Sequence, residues 1–150
     1  MTLIKDFLSN HMLICAVVSY FSAQILKIII TLIRERRIDL HLMFASGGMP
    51  SSHSSTVAAL CISSARVFGV DSPYFAITLV LAAIVMYDAA GVRRAAGEHA
   101  KILNRLLEDL TSGDQARTEA GLKELIGHTP LQVVIGAVLG IAIPFIIPIP

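Results

Sequence analysis

The chain has 150 residues, of which 55% are hydrophobic and 15% are charged, and its mean hydropathy is +0.72. A soluble domain carries about 25% charged residues, and the apolar residues here come in long blocks, which argues against a soluble protein. The formal net charge of +1 decides little, because the position of charges matters more than their sum in a membrane protein. We predict an all-α integral membrane helix bundle that forms one domain over residues 1–150.

Four apolar segments are predicted to cross the membrane. The first contains one charge, Lys27, and is long enough as a helix to span a hydrocarbon core of about 30 Å. The second is shorter and more polar, so it would need protein neighbours as well as lipid. The third ends near Asp88, and the fourth is almost wholly apolar. The segments are 12–33, 54–70, 74–90 and 131–150.

A polar region, 91–128, separates the last two segments. Apolar side chains recur in it at helical spacing, which predicts an amphipathic cytoplasmic helix against the bundle or at the membrane interface. Residues 111–121 form a polar break after it. The apolar positions are Ile102, Leu103, Leu106, Leu107 and Leu110.

Two further patterns concern packing. Cys15 and Cys61 lie in apolar segments, so we interpret them as small buried hydrophobic residues rather than as a disulfide or metal pair. We expect no metal and no cofactor, since no metal-binding motif occurs. Gly136 and Gly140 form a GxxxG pattern, which can support a homo-oligomer, although packing within the chain is the favoured interpretation.

The basic residues predict the orientation. With four spans, residues 34–53 and 91–128 lie on one side, and nine of the twelve lysines and arginines fall there. Only Lys5 and Arg66 favour the other side, and Lys27 lies within a span. By the positive-inside rule the loop side is cytoplasmic, and we predict a protein of the bacterial cytoplasmic membrane with its site on that side.

Polar residues converge on this side of the predicted bundle. Lys27 and Arg34 are two helical turns apart and share a face of the first segment. Lys27 lies about 9 Å inside the segment's end, so its cation must extend to the interface or meet an anion. For Lys27 alone, extension to the interface is the favoured interpretation.

Two more stretches carry groups that can bind or transform an anion. Ser51 and Ser52 precede the second span, where they can cap the helix or help its free N–H groups to bind an anion. Capping alone, with a solvated His53, explains this stretch equally well. Arg93 follows the third span, as basic flanks commonly do, and His99 comes six residues later.

Three motifs, K-x6-R, P-S-x-H and R-x5-H, occur in this order. They resemble the signature of the type-2 phosphatidic acid phosphatase and vanadium-dependent haloperoxidase superfamily. The stretches "GGMPSSHSS", "DAAGVRRAAGEHAKILN" and "LKELIGHTP" are similar to its short, divergent membrane branch. The motif residues are Lys27, Arg34, Pro50, Ser51, His53, Arg93 and His99.

The sequence departs from the family pattern at four positions. Glu35 replaces a proline, Ser52 a glycine, and Val92 a serine. Leu103 stands where an acidic residue is expected four positions after His99. The last change matters chemically, because that carboxylate would orient the nucleophilic histidine.

The resemblance implies metal-independent hydrolysis of a phosphate ester through a phosphohistidine. His99 would attack phosphorus, and His53 would protonate the leaving oxygen and then activate water. Cations and N–H donors would stabilise the phosphoryl oxygens in place of a metal. The phosphate-binding residues implied are Lys27, Arg34, Ser51, Ser52 and Arg93.

The expected partners are membrane lipids and a lipid phosphate, since the site would lie at the headgroup layer; no nucleic acid is expected. Phosphatidic acid, phosphatidylglycerol phosphate and polyprenyl phosphates all remain open as substrates. The alternative is a catalytically inactive membrane protein of the same fold that binds lipid or assembles a complex. A transporter has little support, because four spans show no apparent repeat.

Asp88 is a candidate to replace the missing carboxylate. An unpaired carboxylate in a membrane span is costly and needs a partner. Pairing with Arg93 or Arg94 is favoured slightly over a bond to His99, and either role places Asp88 in the shell that supports the site.

The predicted orientation can be tested by labelling. Cysteines introduced at Thr2 and Asp114 should differ in intact cells, with only the first reacting with an impermeant thiol reagent. The opposite pattern would place the polar loops, and the site with them, outside the cell.

Overall fold

The computed structural model describes residues 5, 7, 9–36, 48–110 and 128–149. All regular structure within these ranges is helical, which confirms the predicted all-α class. Four helices coincide with the predicted segments to within two residues at each end, except that the last helix stops four residues early. The helices are α1 (His11–Glu35), α2 (Ser52–Phe68), α3 (Pro73–Ala90), α4 (Val92–Leu110) and α5 (Pro130–Ile146).

Short polar side chains begin four of these helices. Each accepts a hydrogen bond from the backbone N–H three residues later, which satisfies one of the donors that a helix start leaves unpaired. Proline at the start of α3 and of α5 fits because it has no N–H to leave unsatisfied. The local sequence therefore determines where these helices begin. The capping residues are Asn10, Ser51, Ser72 and Thr129.

Helix α2 lies at the centre of the bundle, although it is more polar than α1, α3 and α5. It packs against all three of those helices. Its small polar side chains are enclosed: Ser54, Ser55, Ser63 and Ser64 have no exposed surface. Small residues let neighbouring helices approach closely, which is the usual arrangement for helices packed within lipid.

Hydroxyl pairs tie α2 to its neighbours. Ser55 Oγ lies 2.6 Å from Ser19 Oγ in α1, and Ser19 Oγ also donates to the Ser55 carbonyl oxygen at 3.0 Å. Ser64 Oγ lies 2.7 Å from Thr78 Oγ1 in α3. These buried hydroxyls avoid the penalty of an unpaired polar group because they meet across the helix interfaces.

Helices α2 and α5 run in the same direction, and α1 and α3 run in the opposite one, so the bundle has two ends. The backbone N–H of Ser51 donates to the carbonyl oxygen of Gln132 at 3.1 Å, which joins the start of α2 to the start of α5. At the opposite end, Arg66 Nη1 donates to the carbonyl oxygen of Ile147 at 3.3 Å. We call the first of these the His53 end; the end of α3 also lies there. This alternation agrees with the predicted path of the chain, while the side that faces the cytoplasm stays a prediction.

Large apolar side chains cover the outside of the bundle. Ile77, Ile84 and Val138, for example, are 66%, 61% and 61% exposed. Helices α1 and α3 have both the length and the hydropathy to cross a membrane. Helices α2 and α5 have 17 residues each, and α5 is the more apolar of the two. The structure thus shows two candidate spans where the sequence predicts four.

Helix α4 is the predicted amphipathic helix, and it packs against α3. Ile102, Leu103 and Leu106 are each more than half exposed, so this apolar face is not covered by the bundle. Of the two predicted positions, the membrane interface therefore fits better. The side chains of Leu107 and Leu110, and the predicted break at 111–121, lie outside the described residues.

Both packing interpretations are confirmed. Cys15 and Cys61 are buried and unbridged. Gly136 and Gly140 face α2: a Cβ atom at Gly140 would collide with the Ser55 carbonyl oxygen and lie 2.8 Å from Ala58 Cβ. The GxxxG pattern therefore serves packing within the chain.

Adding one methyl group at Gly140 should destabilise the bundle. We expect Gly140→Ala to reduce the free energy of unfolding by about 1–3 kcal/mol, the usual cost of overpacking a close contact. Ala142→Val is the control, because Ala142 is exposed on the same helix. Thermal unfolding in detergent measures both, and equal unfolding temperatures would contradict the packing described.

Candidate functional site

The site begins at the first turn of α2, where Ser51 is enclosed and engaged on two sides. Its Oγ accepts hydrogen bonds from the backbone N–H of Ser54 at 3.4 Å and from Ser54 Oγ at 3.0 Å. Its own backbone N–H donates a hydrogen bond to the Gln132 carbonyl oxygen. Ser52 is also buried, with 3% of its surface exposed. In this structure the Ser51 N–H thus serves the packing of α5 against α2.

A small cavity lies at the His53 end, where α2 begins, α3 ends and α5 begins. Its volume is about 20 Å³, which is room for one water-sized group. Two residues expected at the site, His53 and Asp88, line it together. His53 is exposed, and Asp88 is half-buried in the last turn of α3. The other described residues that line it are Val85, Ala89 and His128.

The sequence alone assigns His128 no role beyond that of a loop histidine beside a helix end, and it does lie two residues before α5. It is buried, with 4% of its surface exposed, and its Nδ1 lies 3.3 Å from Gln132 Oε1. The same oxygen accepts the backbone N–H of Thr129 at 3.0 Å, and Thr129 Oγ1 in turn accepts the N–H of Gln132. This reciprocal pair is a capping box, and its T-x-x-Q pattern in the sequence locates the helix start that His128 precedes.

Lys27 is enclosed, which contradicts the interpretation that its cation extends to the interface. Only 1% of its surface is exposed. Gly48 packs against its stem: a Cβ atom there would lie 3.2 Å from Lys27 Cδ. Gly48 has φ of +79°, a conformation that favours glycine, so the chain before α2 can close over the lysine. Arg34, two turns further along α1, is exposed.

The remaining predicted residues lie on α4. His99 is exposed and is not among the described residues that line the cavity. The backbone of Arg93 belongs to α4, but its side chain lies outside the described part of the chain. The structure therefore brings His53 and Asp88 together with His128, while His99 is not among the described residues that line this cavity.

Comparison with known proteins identifies a family and a relative that is described as a membrane protein. The profile of the family described as "Divergent PAP2 family" matches residues 8–143. A relative from Bacillus subtilis, described as an uncharacterized membrane protein, YuiD, is 36% identical over 152 aligned positions, which cover 95% of this chain and 96% of that protein. No solved structure matches the chain.

Proposed function

The chain belongs to the divergent PAP2 family, and on that premise we propose that it hydrolyses a lipid phosphate monoester or diphosphate, without a metal ion, at the membrane surface. One observation carries the proposal: His53 and Asp88 line the same cavity at the start of α2. A proton-transferring ring and a carboxylate thus meet where a helix N-terminus favours an anion.

The reaction needs stabilisation of negative charge on the phosphoryl oxygens. In this proposal Lys27, Arg34 and Arg93 supply positive charge, and arginine's planar fork suits phosphate oxygens particularly well. Ser52 completes the phosphate site from the start of α2, while Ser51 caps that helix and packs against α5. A lysine enclosed within a membrane helix bundle is costly, and such residues commonly mark a functional site.

Histidines carry the covalent chemistry in this proposal. One histidine attacks phosphorus, and the family resemblance assigns this attack to His99. His53 protonates the leaving oxygen and later accepts a proton from the attacking water. Asp88 lines the cavity beside His53 and supports it in these protonation steps.

The substrate class follows from the position of the cavity. We propose that α1, α2, α3 and α5 all cross the bacterial cytoplasmic membrane, which places the His53 end at the cytoplasmic headgroup layer. Phosphatidic acid, phosphatidylglycerol phosphate and polyprenyl phosphates present their phosphates at that depth.

A second candidate function is lipid binding or complex assembly without catalysis. It is favoured by the exposed position of His99 and by Leu103, which cannot orient that histidine. Phosphate release from a panel of lipid phosphates in detergent separates the two functions, because a binding protein would release none.

Metal independence and inhibition by vanadate form one prediction. Phosphate release should persist in EDTA, because side chains and not a metal stabilise the charge. Orthovanadate should inhibit, since it resembles the pentacovalent phosphorus of the transition state. Loss of activity on chelation, restored by magnesium, would rule out this mechanism.

Replacing Asp88 should slow the reaction without unfolding the protein. We expect Asp88→Asn to lower turnover by about 10- to 100-fold, as the loss of a carboxylate that orients a metal-bound histidine does. Asp71→Asn is the matched control, because Asp71 is exposed in the turn before α3 at the opposite end of the bundle. Near-wild-type turnover in Asp88→Asn would falsify the role given to Asp88.

A further inference from the structure

His128 lines the cavity with His53 and Asp88, and the family motifs do not use it. We propose that His128, rather than His99, is the nucleophile that attacks phosphorus in this chain. This inference rests on the proposed phosphatase function and names the residue that performs its first step.

The hydrogen bonds around Gln132 identify the nitrogen of the His128 ring that donates to it. The backbone N–H of Thr129 can only donate, so the side-chain atom of Gln132 that it meets at 3.0 Å is the oxygen. His128 Nδ1 lies 3.3 Å from that same oxygen. Because the oxygen carries no proton, Nδ1 must donate, and in the neutral ring Nε2 then holds the lone pair.

This arrangement is the one that a nucleophilic histidine requires. One ring nitrogen must carry the lone pair, and the other must be held as a donor by an acceptor. The family pattern places the acceptor four residues after the histidine, where His99 has Leu103. His128 has Gln132 at the same spacing, and there the bond is made.

The surroundings of His128 also suit the reaction better than those of His99. His128 is 4% exposed beside His53, whereas His99 is exposed on α4. The cavity has room for one water-sized group, such as a single phosphoryl oxygen. Two helices, α2 and α5, begin at this end, and the positive ends of their dipoles favour an anion there.

The proposed reaction balances in two steps. The Nε2 lone pair of His128 forms a bond to phosphorus, the P–O ester bond breaks, and its electron pair stays on the leaving oxygen, which takes a proton from the His53 imidazolium. Water then attacks phosphorus while neutral His53 accepts its proton, and the N–P bond breaks with its electron pair returning to Nε2. Nδ1 keeps its proton throughout, so the phosphorylated ring is cationic and donates to Gln132 Oε1.

Mapping the phosphoenzyme tests the proposal. Purified protein in detergent is mixed with phosphatidic acid carrying ³²P in its phosphate and quenched in alkali, in which phosphohistidine is stable. The labelled peptide of the wild-type protein should contain His128. A label on the peptide of His99 or His53 would overturn the proposal while leaving the phosphatase function intact.

Variants sharpen the same experiment. His128→Asn keeps an N–H donor near Gln132 but has no nucleophilic nitrogen, so labelling and phosphate release should both fall by at least about 100-fold. His99→Ala should still be labelled. If phosphate release persists in His128→Asn, the nucleophile is elsewhere.

Two controls separate the causes of failure. Gln132→Glu keeps an acceptor oxygen, so it should be labelled. Gln132→Met has a side chain of similar length without that oxygen and should be labelled more slowly. Equal labelling rates in the two variants would contradict the role of the Gln132 oxygen. If His128→Asn fails to fold, the wild-type map alone decides between the histidines. If the wild-type protein releases no phosphate from any lipid phosphate, the proposed function itself falls, and this inference falls with it.

Discussion

The hydrogen bond from the Ser51 N–H to the Gln132 carbonyl oxygen holds the starts of α2 and α5 together. It forms only because the two backbones come very close, and Gly136 permits this approach: a Cβ atom there would collide with the Ser51 carbonyl oxygen. In a membrane, where lipid is as apolar as the side chains, such close contacts between small residues are the main source of helix association. The relative position of α2 and α5 at the His53 end depends on this junction.

Two histidines that are distant in the sequence meet because of this junction. His53 lies two residues after Ser51, and His128 lies four residues before Gln132, so joining Ser51 to Gln132 brings both rings to one cavity. Gln132 contributes twice, since its carbonyl oxygen binds α2 and its side chain orients His128. In the proposed reaction, packing and chemistry are therefore linked in one residue, and a change in the α2–α5 contact would also move His128 relative to His53.

Local signals in the sequence were enough to predict most of the fold. Apolar length is a property of neighbouring residues, so the four predicted segments match helices to within two residues at every end but the last. The favoured interpretation of Lys27 was wrong because Gly48, which packs against its stem, belongs to a different segment of the chain. His128 was given no role for the same reason, since its neighbours in the cavity come from α2 and α3. Contacts between distant segments leave little trace in a single sequence.

The use of a neutral amide at position 132 has a physical consequence for the proposed reaction. A carboxylate at this half-buried position would lose part of its hydration, which is costly for an ion. The Gln132 oxygen orients His128 without that penalty and leaves the lone pair on Nε2 for attack. An amide cannot, however, balance the positive charge that the ring gains when it is phosphorylated. In the proposed reaction the Asp88 carboxylate, which lines the same cavity, carries the charge that Gln132 lacks. The proposal thus divides between two residues from different helices the two functions, orientation and charge, that one carboxylate performs in the family pattern.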